Sequence, residues 1–388
     1  MSTIRSLPTL LALVAVATGS AAATAQTASE VNRKAFPSTL STPKVYVIPM
    51  HGQMGTDIHP QPYKAIVADA KKVKPDIIII ELKSADIDNN FYLKNDDQKE
   101  AGQVHLEEYR DLVKSLREDL RDVPQVMWIQ DSVGFGSLMA FAWPDMYMTS
   151  DARLWGLQNV AKLAGGWSDP DVAAKMLAAW TGIGKGFLQQ GGYPLELGDA
   201  MLLPEKTLSV KFEGRESAWL PNTSGVWTVD SNKEATVNFN ATTAEDTGLA
   251  DGVADSLDDL MFLLGYREFE NAESGKEIYN DYVDSWRKLY DRCIEWLESS
   301  QNVDEGMKGL GQRKSLFEKV IGAMKQYPAV ERRLQREMGV TRLQLEIEVD
   351  NLKKEIARNK NTGNNNGGGG GGGGRGLGGG GMGGKRGL

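Results

Sequence analysis

The stretch DIIIIEL, with four consecutive isoleucines at 77 to 80, constrains the fold of this chain more than any other feature. A strand with one face in water alternates apolar and polar residues. An unbroken run of this kind therefore reads as a strand covered on both faces, as in a parallel sheet packed between helices. The segment before it, YKAIVADAKKVKPD, sets Ile66, Ala70 and Val73 on one helical face. Earlier still, KVYVIPM, Lys44 to Met50, is a short apolar run closed by Gly52 and reads as a buried strand. The unit then recurs: LEEYRDLVKSLREDLRD aligns Leu106, Tyr109, Leu112, Val113 and Leu116 along one side, and Pro124 precedes the strand QVMWIQ. Strand, helix, strand, helix, strand at this spacing predicts βαβ units, hence an α/β layered fold with right-handed crossovers.

Downstream, SLMAFAW reads as a helix, DMYMT as a short strand, and DVAAKMLAAWTGIGKGFLQQGG as a helix interrupted by Gly182, Gly184 and Gly186. TLSVKFEG and SGVWTVDSN read as hairpin strands with turns around Gly214 and Gly225. ATTAEDTGLADGVADSLDDLMFLLG then closes a domain spanning 43 to 265. From 266 to 358 the pattern becomes helical. One seam consists of Tyr279, Tyr282, Trp286, Leu289, Cys293 and Trp296, and a second of Leu345, Val349, Leu352 and Ile356. These seams fit either a helical hairpin packed on its own domain or a self-association coil. Pro328 and the glycines at 306, 309 and 311 forbid one continuous rod.

The two ends differ from this middle. MSTIRSLPTLLALVAVATGSAAATAQ has a positive charge at Arg5, an apolar run through Val16, and Ala23-Thr24-Ala25 as an A-x-A cleavage signature. Residues 1 to 25 thus read as a secretory signal peptide and predict a secreted or periplasmic protein. Residues 26 to 42 read as a polar lead-in. No later segment reaches the roughly 18 apolar residues that a membrane helix needs. Residues 359 to 388 hold long glycine runs with Lys360, Arg375, Lys385 and Arg386 and no acid. Such a segment cannot bury apolar area and is expected to stay disordered, its basic tip suited to peripheral contact with an envelope. A formal charge of −8 argues against broad nucleic-acid binding. Cys293 is the only cysteine, which excludes an intrachain disulfide and a cysteine-based metal cluster in a monomer.

Four segments, KVYVIPMHGQMG, ADAKKVKPDIIIIEL, VPQVMWIQDSVGFGSLMAFAWPDMYMTSDARLWG and TAEDTGLADGVADSLDDLMFLLG, together resemble the ClpP/crotonase superfamily. The resemblance is greatest to its NfeD-type branch of membrane-associated serine peptidases and covers roughly residues 43 to 265. It implies a ClpP/crotonase-like layered ββα-type fold with a helical extension, and it implies acyl transfer. In that chemistry a serine at the start of the small-residue helix attacks a peptide carbonyl, and a histidine or a buried lysine takes its proton. Paired glycines after the second strand supply the oxyanion hole.

Counted back from Asp145, which matches the family's aspartate, the serine of that pattern falls on Phe135, and its S-A-G becomes Phe135-Gly136-Ser137. Where the oxyanion glycines are expected stand Ser84, Ala85 and Asp86. His51, His59 and His105 all precede Ser137, so a ClpP-type triad in its family order is excluded. A serine–lysine dyad remains, for which the resemblance selects Lys185 first and Lys175 second. Ser137 reads either as a helix cap or as the nucleophile of a Ser137/Lys185 dyad. HGQMGTDIH, with His51, Asp57 and His59, offers metal-ligand types without a designated fourth, so neither metal nor cofactor is expected. The resulting expectation is an exported protein of this fold with a degenerate active site. It would bind a peptide or protein partner and form homo-oligomers; the alternative is an active Ser-Lys endopeptidase. Handling of acyl-CoA is disfavoured, because the polarising glycines are missing.

Overall fold

The isoleucine run forms the middle of a parallel sheet. The computed structural model describes residues 34–39, 41–84, 106–156, 169–214, 216–232, 234 and 236–365. The expected leader at 1 to 25, Ala85, Asp86, His105 and residues 366–388 lie outside the described residues; the first seven residues of the tail expected to be disordered over 359 to 388 are instead helical, continuing the helix that ends at Asn365. Strands β1 (Lys44–His51), β2 (Ile77–Lys83), β3 (Gln125–Val133), β4 (Met146–Met148) and β10 (Gly252–Val253) line up in parallel. β11 (Glu270–Ala272) adds to the free side of β1, giving the order β10-β4-β3-β2-β1-β11, so the sheet continues past Gly265. β5 (Arg153–Trp155) pairs with the end of β3 and receives β9 (Asn238–Asn240) antiparallel. The α/β class read from the sequence is the one observed.

Helices α1 (Pro60–Val73) and α2 (Leu106–Asp119) lie in the crossovers. Ile78 and Ile80 join Tyr46, Ile48, Met127 and Ile129 in one core, which Ile66 and Ala70 of α1 and Leu112 and Leu116 of α2 close. Ile77 and Ile79 face the other way with Val45, Val47 and Val126. They are covered by Leu260 and Met261 of α7 (Leu257–Leu263). Both faces are therefore dry, and each fully buried isoleucine contributes about 1.5–3 kcal/mol by leaving water.

Short α3 (Phe135–Ala140) follows β3, and α4 (Pro170–Gly191) and α5 (Leu195–Leu202) pack behind it. α4 differs from the interrupted helix expected: it runs unbroken through Gly182, Gly184 and Gly186. An isolated glycine costs a helix only about 1 kcal/mol, and Gly184 fits close against Leu202 and Leu138. The segment from 208 to 230 is a small antiparallel sheet of β6 (Leu208–Glu213), β7 (Glu216–Leu220) and β8 (Trp227–Asp230), with β6 in the middle. α6 (Ala241–Asp246) leads into β10.

Beyond the sheet come α8 (Ser274–Gln301), α9 (Met307–Gln326), α10 (Pro328–Met338) and α11 (Arg342–Asn365). Their shared core holds Tyr282, Trp286, Cys293 and Leu297 of the first seam, Leu345 and Val349 of the second, and Val320, Met324 and Leu334 from between. The chain turns at Pro328, where the missing N–H and fixed φ suit the first position of α10. This bundle is bound to the sheet. Gly275 sits so near β1 that a Cβ there would stand 2.6 Å from Val47 O. Ser274 donates to Asp69 at 2.6 Å, and Tyr279 donates to the backbone oxygen of His51.

Candidate functional site

Parallel strands all end on one edge of a sheet, and in open α/β sheets that carboxyl edge is where binding groups gather. Here β2 loses register with β3 between Leu82 and Lys83, so Lys83 faces Asp131 and Ser84 N donates to Asp131 O at 2.9 Å. The irregularity sets Ser84 beside Ser132, their hydroxyl oxygens 2.7 Å apart. Ser137 donates to Ser132 at 3.2 Å, and all three serines are buried. Gly136 lies against them: a Cβ there would stand 2.2 Å from Ser84 Oγ and 2.9 Å from Ser132 Oγ. Asp131 holds the adjoining strand by accepting from Arg153 Nε at 2.9 Å and from its terminal nitrogen at 2.5 Å.

The start of α3 decides where the side chains fall. Gly134, at φ 82°, occupies the capping position with no side-chain hydrogen bond. Phe135 is thus the first helical residue, at the place where the resemblance puts a serine, and Ser137 is the third. The reading of Ser137 as a helix cap is corrected. Glycine takes that position because the backbone needs a positive φ, and the Ser137 hydroxyl turns to Ser132 instead. Lys185, on α4, stands 2.7 Å from Asp199 Oδ1 of α5, and the two side chains are 30 % and 28 % exposed. The structure therefore gives Ser137 a hydroxyl partner and Lys185 a carboxylate partner and does not bring the two together by a hydrogen bond. Lys175, earlier on α4, is exposed.

A second polar group crosses the same edge. Glu81, the acid that ends the isoleucine run, is buried; Gln130 Nε2 donates to its Oε1. His51 Nε2 stands 3.3 Å and Lys276 Nζ 3.8 Å from its Oε2. Burial pushes the Glu81 carboxyl up, but the His51, Lys276 and Gln130 contacts outweigh it and hold it below the usual carboxylate range. Sequence reasoning missed this group. The signal was available, since a carboxylate in a strand buried on both faces must find partners.

The metal-ligand types of HGQMGTDIH go separate ways. His51 serves Glu81. Asp57 accepts from Gln53 N at 3.0 Å and from Arg287 at 3.0 Å, while burial pushes its carboxyl up. His59 caps α1 by accepting from Gln61 N at 3.1 Å, and its ring stacks on Tyr282. Burial, reinforced by Arg332, lowers the His59 imidazole to about 4. Among the described residues no three His, Cys, Asp or Glu side chains converge as a metal site. Arginines from the bundle hold this loop: Arg332 donates to Gly55 O at 2.9 Å and to Glu108 at 2.6 Å, and Arg333 to Gln53 at 3.1 Å.

No protein-family model matches the chain, and no curated protein sequence does. Among solved structures it is similar to a membrane-bound stomatin-specific protease in a serine-to-alanine variant. The two share 12 % identity and a TM-score of 0.37, over 60 % of this chain and 98 % of that one. It is similar also to a membrane protease specific for a stomatin homolog from Pyrococcus horikoshii, at 13 % identity and TM-score 0.34 over 57 % and 79 %. A peptidase from Plasmodium falciparum matches at 13 % and 0.33 over 54 % and 96 %. Likeness at this level bears on neither the chemistry nor the partners of the chain.

Proposed function

We propose that the chain is an exported protein that binds or scaffolds a peptide or protein partner, on a peptidase-like fold whose acyl-transfer site is degenerate. The hydroxyl arrangement carries this reading. A nucleophilic serine needs an oxygen open to the substrate and a base beside it. Ser137 is 0 % exposed and is bonded to Ser132 rather than to an amine. The one lysine that the sequence pattern favoured is held by Asp199 in partial contact with solvent. Phenylalanine at 135 brings no hydroxyl to the start of α3. The binding mode proposed is an extended peptide added as a strand along a lateral edge strand of the sheet. Self-association and envelope contact by the basic tail belong to the same proposal.

A serine-reactive phosphonate probe tests it on the purified full chain. No labelling is expected; labelling that disappears in Ser137→Ala would instead establish a working Ser137/Lys185 peptidase. Export is tested separately, by sequencing the amino terminus of protein recovered from the growth medium or periplasm. A mature chain starting after Ala25 is expected, and a chain retaining Met1 in the cytoplasm sinks that part of the proposal.

A further inference from the structure

The amino-terminal edge of the sheet lies far from the serines, since β3 alone has nine residues, about 30 Å of extended chain. At that edge the last turn of α2, the loop into β3 and the end of α4 border a half-open cavity of about 440 Å³. Lys34, Lys114, Arg117 and Arg121 line it against two carboxylates, Glu118 and Asp145, leaving an excess of two positive charges. This occurs in a chain whose formal charge is −8.

Two of the ion pairs at this edge are loose. Lys114 stands 3.9 Å from Glu118 with both side chains mostly exposed, and Lys34 stands 3.8 Å from the exposed Asp122. Open pairs of this kind contribute little and leave the lysines able to swing toward a ligand. Arg117 is partly buried; burial holds its guanidinium below its ordinary value, and the charge of Asp145 restores only part. A guanidinium stripped of water gains from an anion that matches its fork. The floor beneath is fixed. Gln125 donates to Leu116 O at 3.0 Å and to Leu120 O at 3.1 Å, and accepts from Trp143 Nε1 at 2.8 Å.

We propose that this cavity binds a dianionic ligand through carboxylate or phosphate oxygens, with Arg117 as the fork and Lys34, Lys114 and Arg121 around the rim. It is independent of the buried serines and of any reading of them. Two sources supply such oxygens, an acidic peptide segment and a free small anion.

Calorimetric titration of the full chain separates them, with acetyl-Glu-Glu amide, succinate and inorganic phosphate as the probes. Saturable binding is expected for at least one, weakened about tenfold or more in Arg117→Gln. It should also weaken as salt rises from about 10 mM to about 150 mM, where screening shortens to roughly 8 Å. Binding of the peptide alone identifies a peptide segment, and binding of succinate or phosphate identifies a free anion; either supports the site. Should Arg117→Gln unfold the chain, the exposed pair Lys114→Gln and Arg121→Gln replaces it, with circular dichroism as the folding control. Absence of saturable binding by all three probes, or binding indifferent to these substitutions, overturns the proposal.

Discussion

Single residues set the pH behaviour of the molecule, and His59 is the clearest case. Its folded value, about 4, lies below the ordinary 6.5. Between these limits the unfolded chain binds the proton and the folded chain does not, so stability is full above about pH 6.5 and falls as the pH drops toward 4. The shift corresponds to about 3 kcal/mol. Urea unfolding from pH 7.5 to 4 is expected to show this loss, and His59→Gln, which does not titrate there, to flatten it; an unchanged slope would remove His59 as the cause. Glu81 acts lower on the scale. Its depressed value adds stability that is lost only as pH falls through that value, so Glu81→Gln should alter the acid end and leave the His59 window intact. For Glu81 the sequence showed the need for partners but not which they are, and for His59 it showed neither. His59 could be seen in HGQMGTDIH, but the tyrosine over its ring and the arginine beyond it come from helices more than two hundred positions away.

At the scale of elements, much more could be read. The isoleucine run, the seams at steps of three and four, and the turn at Gly214 each follow from a local period or a local backbone need, and these decide element type without distant contacts. Gly214, at φ 70°, makes the β6–β7 turn. Where the reading and the structure part, the deciding contact is tertiary. Glycines in α4 suggest breaks, yet packing over the length of the helix outweighs their cost. That argument yields opposite expectations for two glycines of one helix. A Cβ at Gly182 meets nothing within 4 Å, so Gly182→Ala should gain up to about 1 kcal/mol. A Cβ at Gly191 would stand 2.0 Å from Phe141 O, so Gly191→Ala should lose about 1–3 kcal/mol. Thermal melts of the two variants check both signs. The same limit applies at the site: the order of residues placed Phe135 and Ser137, but only the register break at Leu82 sets Ser84 beside Ser132.

For the whole molecule, the contacts that matter join its two bodies. The bundle grips the loop after β1 through Arg287, Arg332 and Arg333, through Tyr282 donating to Thr56 O at 3.2 Å, and through Tyr279 on His51. Arg332→Ala removes the donor to Gly55 O and leaves Glu108 without that guanidinium, so amide exchange across residues 52 to 59 should quicken while β2 and β3 keep their protection. Equal acceleration in all three segments would mean that the bundle supports the entire sheet rather than this loop. The anion cavity lies at the opposite edge, and its occupancy should leave the exchange of the loop unchanged.

The grip on that loop also has a consequence in time. Thr56 and Tyr282 are 226 positions apart, and Gln53 and Arg333 are 280 apart. At roughly 5–20 residues per second of synthesis, a ribosome delivers the second member of each pair about ten to sixty seconds after the first. For that interval the nascent loop has Tyr109 of α2 on Ile58 O but lacks its partners from the bundle, so its final packing waits until they emerge.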